Sequence, residues 1–310
     1  MFFSIIIPCF NSNKTIQKCL ESIQLQTFSD FECIIIDDGS TDNTSEIINK
    51  FLISDSRFKY FYQNNQGTSV ATNVAIKKCK GNFVVPIDHD DWVDVNYLQE
   101  LFDVIKNDNG IDVVGVNSFY LSKKGHNKID SNGEIMISKD DNEKYIIAFD
   151  LSRMSITHTA TCIRRILLNK VNFIGNGYGA DTIVMRVLLH LSNKIALICK
   201  DLYNRLENDT SVSRRKQKKD INFDMIIRLE EYLPFWFNNE GPELRDFYEK
   251  YLDSRSYFFR GGFIYFFKMI RSGRIIWKNR YLFFYNQTIL KRDKIILLLP
   301  FLPIKRKTLT

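Results

Sequence analysis

Four short apolar runs, "FFSIIIP" (2–8), "FECIII" (31–36), "RFKYFYQ" (57–63) and "NFVVPI" (82–87), alternate with segments whose apolar residues recur at helical spacing. Ile16, Cys19, Leu20 and Ile23 mark the first such segment, Ile47, Ile48, Phe51 and Leu52 the second, and residues 68–78 the third. A strand that is apolar along its whole length must be covered on both faces, so the alternation predicts an α/β fold: a mostly parallel sheet flanked by helices. Ligands of such sheets sit beyond the carboxyl ends of the strands. Here those ends are followed by "PCFN" (8–11), "DDGS" (37–40), "QNNQG" (63–67) and "DHDD" (88–91), which the fold would gather on one edge.

Acids at such an edge need a reason. Two carboxylates about 4 Å apart repel by roughly 4 kcal/mol at an effective dielectric of 20, and a divalent cation is the natural counterweight. Oxygen ligands of this kind suit Mg²⁺ or Mn²⁺, held by one or two carboxylates together with substrate phosphates. Alternation along an extended segment points His89 away from Asp88 and Asp90. A lone D-x-D is weak on its own, since acids after a strand also serve as a solvated turn or a helix cap. The same holds for Asp42 or Thr41 in "DDGSTDNTS".

The rest of the chain bounds the answer further. Its composition, 45% hydrophobic and 25% charged over 310 residues, is that of a soluble globular protein with a real core. The six cysteines form no C-x-x-C pair and lie mostly in apolar patterns, so they read as reduced core residues of a cytoplasmic protein. "MFFSIIIP" has no basic n-region or cleavage site and reads as a strand, and no run of about 18 apolar residues suggests a spanning helix. Residues 260–310 hold twelve lysines and arginines against the single acid Asp293, while the whole chain is +7, so a mildly acidic body carries a basic tail.

Beyond residue 96, Tyr97, Leu98, Leu101, Phe102 and Ile105 predict a helix leading into the apolar "IDVVGV". Residues 122–143 read as loop and hairpin, "THTATCIRR" as a strand, and "GNGYGAD" as a glycine-rich loop opening a helix. From residue 221 the pattern is helical and aromatic, which divides the chain into 1–220 and a helical, basic-aromatic extension over 221–310.

The order and spacing of "SIIIPCFNSNKTIQKCLESIQLQTFSDFECIIIDDGSTDNT" and "NQGTSVATNVAIKKCKGNFVVPIDHDDW" strongly resemble the N-terminal half of the family-2 inverting glycosyltransferases of bacterial surface-glycan synthesis, which have the GT-A nucleotide-sugar-binding fold. The match runs over residues 3–92 and continues more weakly to about 213. It implies a nucleotide-diphosphate-sugar donor, UDP-linked by family habit, held with divalent Mn²⁺ or Mg²⁺. Pro8, Phe10 and Asn11 match the loop lining the nucleotide pocket. Asp38 matches the acid that hydrogen-bonds the base, with Asp37 its structural neighbour, and Gly67 belongs to the donor-binding set. Asp88 and His89 fall where the family contacts ribose and diphosphate, Asp90 where it binds metal, and Asp181 on the catalytic base. "YNRLENDTSVSR" resembles a segment approaching the diphosphate, which implies a donor role for Arg214 and possible ones for Arg205 and Ser211.

Three departures stand out: Thr72 replaces a basic residue, Ala75 stands where glycine is common, and Ala180 replaces the glutamate before the base. They motivate an alternative, a catalytically silent sugar-nucleotide-binding or scaffolding protein, against which intact Asp90 and Asp181 argue. A nucleotidyltransferase usually wants a glycine-rich phosphate loop, and "PCFNSNK" has no glycine. No RNA- or DNA-binding module is recognised. The resemblance therefore implies transfer to a hydroxyl of a glycan or lipid-linked glycan with formation of a β-linkage, while the basic and aromatic residues of the tail suit either an anionic membrane surface at the inner face of the cytoplasmic membrane or a helical subdomain whose aromatics form a core.

Overall fold

A computed structural model describes residues 1–121, 133–138, 159–173, 184–185, 188–189 and 191–206. All lie in the first of the two units into which the chain divides, Met1–Leu229 and Glu230–Thr310. The expected division at 220, the basic tail and the helix after "GNGYGAD" up to 183 fall outside the described residues.

The first half is the predicted alternation: β1 (Phe3–Cys9), α1 (Ile16–Gln24), β2 (Phe31–Asp37), α2 (Thr44–Ser54), β3 (Phe58–Tyr62), α3 (Thr68–Lys78) and β4 (Phe83–Pro86). Every residue of β1, β2 and β4 is buried, as strands covered on both faces must be. Ile16, Cys19, Leu20 and Ile23 form the buried stripe of α1. Then follow β5 (Trp92–Val93), α4 (Tyr97–Asn107), β6 (Ile111–Leu121), β7 (Ile135–Ile137), β8 (Thr161–Arg164), the single turn α5 (Arg165–Leu168) and β9 (Lys194–Leu206). Phe102 of α4 is only partly buried and packs with Phe2 and Phe28 into an aromatic cluster at the amino end of β1. None of the six cysteines forms a disulfide. Among the described residues no helix is long and apolar enough to cross a membrane.

The strand order is β3-β2-β1-β4-β8-β6-β9-β5, with β7 also paired to β9. From β3 to β4 the sheet is parallel. Beyond β4 it is mixed: β8 runs antiparallel to β4 and β6, and β5 and β7 run antiparallel to β9. The thirteen residues of β9 account for that half. Its register against β6 jumps from Val116↔Ile198 to Asn117↔Asp201 and then Ser118↔Tyr203. The extra residues bend the strand, as bulges do. One arm of β9 thereby takes β7 at Ile198, and the other takes β5 at Tyr203.

One buried carboxylate ties the parallel half together. Glu32 on β2 accepts from Ser4 Oγ on β1 at 2.7 Å and from the Lys80 N–H at 2.7 Å, and it pairs with Lys59 Nζ on β3 at 2.5 Å. Burial opposes its charge, but the hydrogen bonds from Lys59, Ser4 and Lys80 outweigh burial and hold the carboxyl below its ordinary range. A depressed folded pKa contributes stability above the unfolded value that is lost as pH falls through the folded one. Glu32→Gln is accordingly expected to cost about 1–3 kcal/mol near neutral pH. In urea unfolding titrations the gap from wild type should close as the pH drops below the ordinary carboxylate range.

Candidate active site at the carboxyl edge

Four loops leave the carboxyl ends of the adjacent parallel strands, and they are laced to one another by hydrogen bonds. In the loop after β1, Asn11 has φ 48°, a left-handed conformation that asparagine tolerates better than most residues. From there its Oδ1 accepts from the Thr41 N–H at 2.8 Å, and its own N–H donates to Ser40 Oγ at 2.9 Å. Gly39, at φ 84°, lies so close to the loop after β3 that a Cβ would sit 2.8 Å from Asn65 N. Glycine at 39 is therefore required by conformation and by space.

Asp38 joins the second loop to the third. Its backbone N–H continues the ladder to Cys9 O at 2.8 Å. Its carboxylate accepts from Gln63 Nε2 at 2.7 Å, the Gln66 N–H at 2.9 Å and the Gly67 N–H at 2.7 Å. Those are three of about four acceptor positions a carboxylate offers. Gly67, with φ 92° and ψ 158°, occupies a region essentially reserved for glycine and starts α3 there. Asp37 is internal to the fold, accepting from the Ser40 N–H and from Tyr60 Oη, both at 2.8 Å.

The fourth loop is the acidic turn. Ile87 follows β4 with its N–H on Ile6 O, and the Asp91 N–H closes a turn on Asp88 O at 3.0 Å. One carboxylate oxygen from each of Asp88, Asp90 and Asp91 lies within 4.8 Å of the others. His89 is turned toward the start of α1, its Nδ1 3.3 Å from Thr15 Oγ1. Burial, and then the charge of Asp88, pushes the Asp90 carboxyl above its ordinary range. Burial followed by Asp88 and Asp90 raises Asp91 more strongly. His89 and then Arg205 on β9 draw Asp90 back down, and the buried Arg205 does the same for Asp91. The three carboxylates outnumber these two bases, and the clustered ligand atoms are all oxygen. The residues therefore fit a hard divalent cation. Asp91 is committed differently from the other two: its Oδ2 accepts from Tyr203 Oη at 2.8 Å and its Oδ1 from the Leu206 N–H at 3.1 Å.

The structure thus brings Pro8, Phe10, Asn11, Asp38, Gly67, Asp88, His89 and Asp90 to one edge. Pro8 is buried in the ladder opposite Ile36, whereas the Phe10 ring is 44% exposed at the mouth. Asp181, Arg214 and Ser211 lie outside the described residues. Thr72 is buried in α3 with its hydroxyl turned back onto Thr68 O at 2.8 Å, so it supplies no charge to the edge. Three contributors carry no mark in the sequence: Gln63 and Gln66, beyond the end of β3, and Tyr203 on β9, for which the apolar run "IALIC" is the one available signal of a strand.

Compared with known proteins, residues 4–171 match the family described as Glycosyl transferase family 2, a span of more than half the chain. The chain belongs to glycosyl transferase family 2. Glycosyltransferase GlyG of Streptococcus pneumoniae is 28% identical over 224 residues, which are 68% of this chain and 72% of GlyG. Chondroitin synthase of Escherichia coli is 32% identical over 123 residues, 40% of this chain but only 18% of the synthase. In fold, the chain is similar to S. aureus TarS 1-349 in complex with UDP-GlcNAc, with a TM-score of 0.62 at 21% identity, covering 82% of this chain and 72% of that one. The family-2 match takes in all four loops of the edge and stops before β9.

Proposed function

We propose that the protein is an inverting glycosyltransferase that moves a sugar from a nucleotide-diphosphate-sugar, with UDP the favoured nucleotide, to a hydroxyl of a glycan or lipid-linked glycan in bacterial surface-polysaccharide synthesis. The observation that carries this reading is the carboxyl edge of a family-2 chain, where Asp38 follows β2 and the clustered Asp88 and Asp90 follow β4. TarS, of the same fold, has a crystal structure in complex with UDP-GlcNAc, which supports a donor of that chemical class. Asn11 and the exposed Phe10 ring flank the nucleotide, and the base meets the acceptor position that Asp38 has left. Asp88 and Asp90 would hold Mn²⁺ or Mg²⁺, which supplies neutralisation of charge on the departing diphosphate. Asp181 takes the proton from the acceptor hydroxyl as it attacks the anomeric carbon from the opposite face, which from an α-linked donor gives a β-linkage.

The deciding experiment is a screen of nucleotide sugars for slow hydrolysis by the full-length protein with Mn²⁺ and with EDTA. One donor class should be hydrolysed, and chelation should stop it. Equal hydrolysis with EDTA removes the metal from the reading, and no hydrolysis or binding of any donor removes the donor.

The tail belongs to the same proposal. Residues 260–310 interleave basic residues with Phe263, Tyr265, Phe266, Phe267, Trp277, Tyr281, Phe283, Phe284 and Tyr285, a composition suited to an anionic membrane surface at the cytoplasmic face. Each lysine or arginine near such a surface contributes about 1 kcal/mol of attraction, screened by salt. The protein is expected to sediment with anionic but not zwitterionic liposomes at low salt and to release as salt rises; sedimentation indifferent to lipid charge overturns that expectation.

A further inference from the structure

We propose that Tyr203 is a positioning residue for the acidic turn, its single hydroxyl spanning Asp88 and Asp91 so that Asp88 and Asp90 present their oxygens together to the cation. The inference rests on the divalent-cation reading of the preceding subsection. Tyr203 Oη donates to Asp91 Oδ2 at 2.8 Å and accepts from the Asp88 N–H at 3.2 Å. A phenol has one donor and spare acceptor capacity, so both bonds exist at once. The hydroxyl therefore clamps the first and last residues of "DHDD", the two that the turn hydrogen bond from the Asp91 N–H to Asp88 O also joins.

The three aspartates divide their work accordingly. Asp91 is buried, with both oxygens occupied from β9 by Tyr203 and Leu206, and acts as the anchor. Asp88 and Asp90 are only partly buried, and among the described residues neither carboxylate makes a side-chain hydrogen bond to β9. The clamp is rigid because the Tyr203 ring is fully buried, meets Tyr97 edge-on at 6.2 Å, and is set in register by Val93↔Tyr203 pairing between β5 and β9. Groups that orient metal ligands through hydrogen bonds typically affect affinity 10- to 100-fold, although they never touch the ion.

The competing account is that Tyr203 is a core tyrosine whose hydroxyl needed partners. Tyr97 provides the control. It is equally buried, packs on the same ring, and its hydroxyl has no hydrogen-bond partner among the described residues. Mn²⁺ alone would be titrated into full-length wild type, Tyr203→Phe and Tyr97→Phe, with free Mn²⁺ read by electron paramagnetic resonance and folding by thermal melts. Tyr203→Phe should weaken Mn²⁺ binding about 10-fold or more, while Tyr97→Phe stays within about twofold of wild type. Unchanged affinity in Tyr203→Phe, or equal weakening in both, overturns the positioning role. Absence of Mn²⁺ binding in wild type, both alone and with UDP supplied for its phosphate oxygens, overturns the cation reading and the inference with it. Asp91→Asn tests the anchor without touching the tyrosine: it should retain more Mn²⁺ affinity than Asp90→Asn, and a loss as great as that of Asp90→Asn makes Asp91 a ligand and ends the division of labour.

Discussion

Asp90→Asn is expected to lower sugar transfer about 10³-fold, because a carboxylate that helps a cation stabilise transition-state charge is worth several kcal/mol and each 1.36 kcal/mol is a factor of ten in rate. The substitution keeps the size of the side chain and removes its charge. In the folded protein that charge is opposed first by burial and then by Asp88. A carboxyl whose folded pKa is raised contributes stability in its protonated form and loses it as pH rises through the folded value. The amide should therefore leave the urea midpoint near neutral pH no lower than wild type while turnover collapses. Turnover and the unfolding midpoint, measured on one preparation at saturating Mn²⁺, separate the two effects. Wild-type turnover at saturating metal would take Asp90 out of the site.

The second large effect is expected at Asp181. Loss of a general base typically costs 10²- to 10⁴-fold. Asp181→Asn should lower transfer by about that order, with donor affinity, measured separately by titration of the donor, nearly unchanged. A parallel fall in donor affinity would make Asp181 a donor contact or the cap of the helix that follows it, and the base would have to be sought elsewhere. The prediction rests on the correspondence of "GYGAD" with the family's base motif.

The acids of the carboxyl edge differ in how much of their surroundings could be read. Asp90 sits in a turn between β4 and β5, and its surroundings follow from local order: an apolar strand ends and acids begin. Its neighbour Asp91 has the same side chain and adjoining position but a different task, and nothing local distinguishes them. The distinction comes from Tyr203 and the Leu206 N–H, 112 and 115 residues away. Asp38 illustrates the same separation. Its place after β2 was legible, whereas its three donors belong to a loop 25 to 29 residues on.

By itself the sequence determined the parallel half of the sheet, the helices that cover it and the edge at which polar loops collect. These follow from short-range causes: continuous β-branched runs, apolar spacing at the helical period, and the rule that parallel strands end on the same side. The direction of β8, the bend in β9 and the use of Tyr203 were decided by the tertiary structure alone. A bulge shifts register without changing the apolar content of a strand, so "KIALICKDLYNRL" carries no local sign of which neighbour each arm will meet. The hydroxyl that clamps Asp88 to Asp91 acquires its partners only when β9 has passed across the sheet and paired with β5.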